Sequence, residues 1–444
     1  MPDAENDRLP RNTLSLFDRI KIVLVFLPVP LYLVLALIKS PFTAYGRSKS
    51  WKRVIVDSAV LVVASGLNRR QLRAVFGPTT KTYETFVKEK NIPRLVEDIG
   101  DDARIFWIGP KHTDRVVIYF HGGAYLVGAL GSTPVFWSWM QTNLGKRGKS
   151  VGFTMLNYTL IPDRTFPTQL NQAVLAIKHV IDSGVKPENI VLTGDSAGGL
   201  LIHQVFSHML HPVEGVPLLN LEAPFAGAYM MSPWTRLRDP DHKYLQRTNG
   251  MGDYLSADIL DYWGQTVLEN VPQSAIPYLE ANEAPKSWLK DLHKCSKRML
   301  ITAGGVEVLC DEIIKYAQTV EKYHKNTTTI VQENGVHIDP MIDFLTGSLD
   351  ICFYAVTYAN TAPGDWLQGV EGYIRRILIS AGGVEVLRDE IIKYSKTVQK
   401  HHKDTTIIVQ ENGIHVDPSF DFLFGEKELG KLTPAILEWL DVGF

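Results

Sequence analysis

The 444-residue chain predicts an α/β fold with a mostly parallel central sheet flanked by helices. Three observations predict it. Short apolar runs rich in β-branched residues recur from about residue 115 onward, helical patterns separate them, and a G-x-S-x-G pentapeptide stands at one junction of run and helix. Composition agrees, since 45% hydrophobic and 21% charged residues is an ordinary globular balance. The net charge is −2 and no basic block is long, so a nucleic-acid surface is not expected. The three cysteines, Cys295, Cys310 and Cys352, match no metal spacing and cannot make a disulfide framework.

The elements follow in order. Residues 22–38 read IVLVFLPVPLYLVLALI, 17 positions without a charge. A helix of that length spans roughly 26 Å, near a hydrocarbon core, so residues 1–45 are expected to anchor the chain in a membrane. The acidic start (Asp3, Glu5, Asp7) and the lack of a small-residue cleavage site argue against a removed signal. Arg19 and Lys21 precede the segment, and Lys39, Arg47, Lys49, Lys52 and Arg53 follow it. With basic residues on both sides, the orientation is left open.

Residues 46–112 have helix-like spacing, as in VIVDSAVLVVASGLNRRQLRAVF at 54–76. The core is expected over 113–345. Its strands should be RVVIYF (115–120), VGFTML (151–156), NIVLTG (189–194), AGAYMMS (226–232), RMLIT (298–302) and TTTIVQ (327–332). Helical patterns at 167–184 and 197–210 lie between them, and 233–297 suits a lid or excursion.

The C-terminal third is duplicated. A shift of 78 residues lays 299–345 on 377–423 with 34 identities in 47 positions. Two copies are too few for a solenoid. Residues 346–376 read as a linker containing the start of the second repeat, and 377–444 as a second unit of the same kind.

The strongest chemical signal is VLTGDSAGG at 191–199, with Ser196 between two glycines, after a strand pattern and before a helix pattern. A sharp strand-to-helix turn lifts such a hydroxyl clear of the backbone. A phosphate-binding turn is the competing reading, but no G-x-G-x-x-G follows the first strand. The second signal is YFHGGAY at 119–125, also at a strand end. Backbone N–H groups of Gly122, Gly123 and Ala197 are the expected donors to a developing oxyanion.

A nucleophilic serine needs a base and an orienting acid downstream. Each repeat offers both: Glu307 and His337 in the first copy, Glu385 and His415 in the second. Asp311 and Asp389 are competing acids, one helical turn further on. One sheet has room for one copy. The second is followed by GEKELGKLTPAILEWL (425–440), whose Leu432, Ile436, Trp439 and Leu440 would close the fold, so Glu385 and His415 are favoured. Glu307 and His337, or an acid from one copy with the histidine of the other, are the alternatives. No metal or organic cofactor is required by this chemistry.

HGGAY, GDSAGG, LNYTLIPDRTFP (156–167) and GGVEVLRDE with a later NGIH together resemble the hormone-sensitive-lipase-like branch of the α/β-hydrolases. WIGP (107–110), the N-terminal segment and LTPAILEWL (432–440) are most similar to its fungal steryl acetyl hydrolase relatives. The resemblance implies an esterase acting on a short acyl ester of an apolar, sterol-like or lipid-like alcohol. It also implies a helical cap over the site, partly from 46–112. The apolar N-terminal segment sets the expected location at a membrane, that of the endoplasmic reticulum. Two positions depart from the pattern: Ala124 stands where a third glycine is usual, and glutamate replaces the usual aspartate in both copies.

Overall fold

The computed structural model describes residues 14–146, 148–238, 252–346, 377–382, 388–403 and 405–410. The chain divides into two units, Met1–Ser348 and Leu349–Phe444.

The first unit is built on an eight-stranded sheet in the order β1-β2-β4-β3-β5-β6-β7-β8. The strands are β1 (Val96–Gly100), β2 (Ala103–Trp107), β3 (Val116–Phe120), β4 (Gly152–Asn157), β5 (Ile190–Asp195), β6 (Gly227–Met231), β7 (Met299–Gly304) and β8 (Thr327–Gln332). From β4 through β8 every neighbouring pair is parallel. Every residue of β3 is buried, as a strand covered by helices on both faces requires. The six strands expected between 115 and 332 are all present in this sheet.

The helices preceding the sheet are α1 (Leu16–Phe26), α2 (Val29–Lys39), the short α3 (Ala44–Ser48), α4 (Trp51–Gly66), α5 (Arg69–Phe76) and α6 (Thr79–Lys90). Within and after it come α7 (Ser132–Lys146), α8 (Thr168–Asp182), α9 (Ala197–Leu210), α10 (Ala257–Leu268), α11 (Cys310–Tyr323) and α12 (Asp339–Thr346). Helix α9 is buried along nearly its whole length, with Leu200, Leu201, Val205 and Phe206 fully covered. Burial of each such side chain is worth about 1.5–3 kcal/mol. Its N-terminus is thereby fixed against β5, where Ser196 stands.

Leu16–Phe42 is long and apolar enough to cross a membrane. Leu27 and Pro28 separate α1 from α2. One side of this stretch packs inward: Ile22 and Val25 meet a small apolar cluster of Val63, Leu67, Leu72 and Val127. The other side leaves Leu16, Phe17, Leu24, Leu31 and Phe42 exposed.

The structure differs from the sequence reading in three places. The end of the 46–112 region is not helical, because 96–107 forms the antiparallel pair β1–β2. VEDIG is a half-exposed edge strand with two carboxylates, too polar to read as a strand. Lys49 and Arg53 do not flank the apolar segment as solvated charges. Their side chains are 3% and 0% exposed and pair with Asp339, and Arg53 also with Asp57 and Asp343. Finally, the sheet takes its last two strands from the first repeat copy, 299–332.

The second unit contains β9 (Ile377–Gly382) and β10 (Thr405–Gln410), paired parallel in a two-stranded sheet of their own, and α13 (Arg388–His401) between them. Glu385, His415, the linker from 347 and the closing segment 425–440 lie outside the described residues.

Candidate active site

Strand β5 ends at Asp195 and α9 begins at Ala197, so Ser196 alone makes the turn. Its φ of 50° and ψ of −117° are strained for any L-residue. The flanking glycines are demanded by packing. A Cβ on Gly198 would lie 1.9 Å from the Phe120 carbonyl oxygen, and one on Gly194 would lie 2.5 Å from the Gly198 carbonyl. Ser196 N–H donates to Met231 O at 2.9 Å, and Trp234 N–H to Ser196 O at 3.0 Å, which locks the strained turn from both sides.

Opposite stands the HGGAY loop after β3. Gly123, Ala124 and Tyr125 follow one another with positive φ of 96°, 55° and 60°. Such a run turns the chain sharply beside the elbow, with Gly122, Gly123 and Ala124 lining the same cleft as Ser196. The Gly122 N–H differs from expectation: it donates to Asp195 Oδ1 at 2.8 Å and is already engaged. Tyr119 Oη–H donates to the same carboxylate oxygen. Asp195 therefore braces the loop, and the donors left to the cleft are those beyond Gly122. His121 supports the loop from behind. It is fully buried, stacks on Tyr158 at 4.2 Å, and has Nδ1 2.7 Å from Gly122 O and Nε2 3.1 Å from Thr79 Oγ1. Burial pulls its pKa down to about 4, so it is neutral at physiological pH.

The acid and the histidine follow β7 and β8. Glu307 is fully buried, and its Oε2 accepts from Ser232 Oγ–H at 2.6 Å and from Gly304 N–H at 3.1 Å. His337 Nδ1 lies 3.7 Å from that same oxygen, an ion-pair distance rather than a hydrogen bond. Such distances shorten in a substrate complex. Burial disfavours the imidazolium, but Glu307, Asp253 and Asp195 outweigh it and raise the His337 pKa. Asp311, the competing acid in this copy, is exposed on α11.

Several residues at the site carried no motif. Ser232 follows β6 with a φ of 44°, and its Oγ also accepts from Ile338 N–H at 3.0 Å. It thus joins the acid loop to the histidine loop. Asp253 and Tyr254, in the excursion between β6 and β7, bond to the backbone of His337. Ser232 had a weak signal in its place at a strand's C-terminal end; Asp253 had none.

Ser196, His337, Asp195, Gly122, Gly123 and Ala124 line one cleft with a cavity of about 90 Å³. Its far wall is apolar: Val60 and Ala64 of α4, Leu72 and Phe76 of α5, Leu255, and Trp263 of α10. Among the described residues no cluster of histidine, cysteine and carboxylate side chains could hold a metal ion.

A strained serine on a strand-to-helix turn, sharing a cleft with a glycine-bearing loop at the C-terminal edge of a parallel sheet, defines the class, and the sequence comparison agrees. Residues 117–339 match the family described as alpha/beta hydrolase fold, and the chain belongs to it. Steryl acetyl hydrolase 1 of Saccharomyces cerevisiae is 26% identical over 254 residues, which cover 52% of this chain and 55% of the relative. An acetyl-hydrolase of Streptomyces hygroscopicus is 32% identical over 132 residues, covering 30% of this chain and 40% of the relative. The chain thus spans about half, or less, of the curated relatives it matches. Among solved structures, an esterase from the bacterial hormone-sensitive lipase (HSL) family superposes with a TM-score of 0.51 at 21% identity, covering 68% of this chain and 99% of that one.

Proposed function

We propose that the protein is a carboxylic-ester hydrolase that works through Ser196, His337 and Glu307. The observation that carries this reading is the shared cleft. The strained Ser196, the His337 ring and the HGGAY loop all line it, with Glu307 behind the histidine. His337 Nε2 takes the Ser196 proton as Oγ attacks the ester carbonyl. Glu307, facing Nδ1, fixes the tautomer and stabilises the imidazolium. The oxyanion rests on the N–H groups of Gly123, Ala124 and Ala197, with Gly122 holding the loop through Asp195 rather than donating. The acyl-enzyme is then hydrolysed by water activated by the same histidine.

The substrate is an ester of a small acyl group with an apolar alcohol, since few polar side chains line the cleft beside Ser196 and His337 and the residues of α4, α5 and α10 that line it are apolar. Two relatives named as acetyl hydrolases support the same class. Leu16–Phe42 holds the protein at a membrane, its exposed apolar side being the surface that lipid would cover. Flotation of the full chain with phosphatidylcholine vesicles tests that part.

Hydrolysis of p-nitrophenyl acetate by the full chain, wild type against Ser196→Ala, tests the reaction. Turnover by wild type that Ser196→Ala abolishes is expected. A folded wild type with no turnover would point to a ligand-binding member of the fold. Product analysis with added alcohol would reveal acyl transfer.

A further inference from the structure

The excursion between β6 and β7 does more than cover the cleft. Its Asp253 and Tyr254 take hold of the peptide unit of His337 at both ends. Asp253 Oδ1 accepts the His337 N–H at 3.2 Å, and Tyr254 Oη–H donates to the His337 carbonyl at 2.7 Å. The second carboxylate oxygen, Oδ2, accepts the N–H of Val308, the residue after Glu307, at 2.9 Å. Asp253 also receives its neighbour's N–H, from Tyr254 at 2.9 Å, which fixes its own rotamer. Tyr254 is 5% exposed, and its ring meets the imidazole edge-on at 6.3 Å. One dipeptide of the cap segment therefore bonds to the acid loop and to both sides of the histidine.

Resting on the hydrolase reading above, we propose that Asp253 and Tyr254 are positioning residues that clamp His337 and that Asp253 supplies a second negative charge beside its ring. Three features fit. Ile338 has a φ of 48°, so the backbone around His337 is not held by a regular element and needs outside partners. The Glu307–His337 distance of 3.7 Å exceeds a hydrogen bond, so the acid's hold on the ring depends on where the His337 backbone is kept. And Tyr254 and Leu255 themselves line the cleft, so the clamp borders the space a substrate would fill. The charges facing His337 are Glu307 after β7, Asp195 at the end of β5 and Asp253 from the excursion; Arg53 and Asp57 of α4 reach Tyr254. Burial, with Glu307 adding, pushes the Asp253 carboxyl up to about 7 against the pull of His337 and two backbone N–H groups.

The test uses the full chain with labelled histidine, following His337 by NMR as a function of pH beside p-nitrophenyl acetate kinetics. Asp253→Asn keeps the shape, but removes the charge and one acceptor. The His337 titration is expected to move down by about one pH unit, and kcat to fall about tenfold with KM little changed. Tyr254→Phe removes one hydrogen bond and no charge, so kcat should fall while the titration stays. A His337 titration unmoved in folded Asp253→Asn overturns the proposal. Should that variant not fold, an unchanged kcat in Tyr254→Phe overturns it. The titration is read without turnover, so an inactive wild type contradicts the hydrolase reading and leaves the clamp to be judged by NMR.

Discussion

His337 Nδ1 lies 3.7 Å from Glu307 Oε2, and both side chains are almost wholly buried. Proton affinity at the imidazole is set by this pairing against the cost of burial, and the net direction is upward. A base works when unprotonated, so kcat/KM should rise with pH through a His337 pKa above its ordinary 6.5. Glu307→Gln should move that limb to lower pH and reduce kcat by about two to four orders of magnitude. A pH–rate profile of the two proteins checks both.

The same shift has a consequence for stability. The folded state binds the His337 proton more tightly than the unfolded state does. Its contribution is therefore complete below the unfolded pKa of about 6.5 and is lost as pH rises through the folded value. His337→Gln should flatten the pH dependence of denaturant midpoints in that window.

Gly198→Ala should abolish activity and impair folding. The added Cβ would stand 1.9 Å from a backbone oxygen of β3, where neither strand nor helix can give way. Circular dichroism and p-nitrophenyl acetate turnover together distinguish this from a purely local effect.

Arg53 is fully buried among Asp57, Asp339 and Asp343 and joins α4 to the start of α12, two residues past His337. Arg53→Met leaves three carboxylates buried with Lys49 as their remaining cation in this cluster, and should cost about 3–5 kcal/mol. Asp343 shows the opposite behaviour. Burial, with the Asp339 charge adding, raises its pKa to about 7, so its ionisation opposes folding as pH climbs from the ordinary carboxylate range through 7. Asp343→Asn should therefore be tolerated best at alkaline pH. Urea midpoints at pH 5 and pH 8 check both variants.

Much of this architecture is legible in the chain. Strands β3, β4 and β5 are buried along nearly their whole length, so they read as continuous apolar runs, and the elbow is spelled by glycines that its crossing demands. The HGGAY loop is legible for the same reason, yet which of its amides is free was not, because Gly122 is engaged by Asp195, 73 residues away. Asp253 shows the general limit: a carboxylate that serves two backbone N–H groups of distant loops leaves no local pattern. Lys49 and Arg53 look like membrane-flanking charges because their partners at 339 and 343 are nearly 300 positions downstream. The repeat is the hardest case. Two nearly identical segments carry the same local information, and the amphipathic pattern at 425–440 weighed toward the second, whereas the parallel sheet pairs β7 and β8 of the first.

The central claim is that Ser196 is served by the histidine of the first repeat. The most direct measurement is p-nitrophenyl acetate hydrolysis by the full chain carrying His337→Ala or His415→Ala, each beside wild type. Loss of activity in His337→Ala, with His415→Ala close to wild type, is the result expected. Loss in His415→Ala with activity kept in His337→Ala would contradict it.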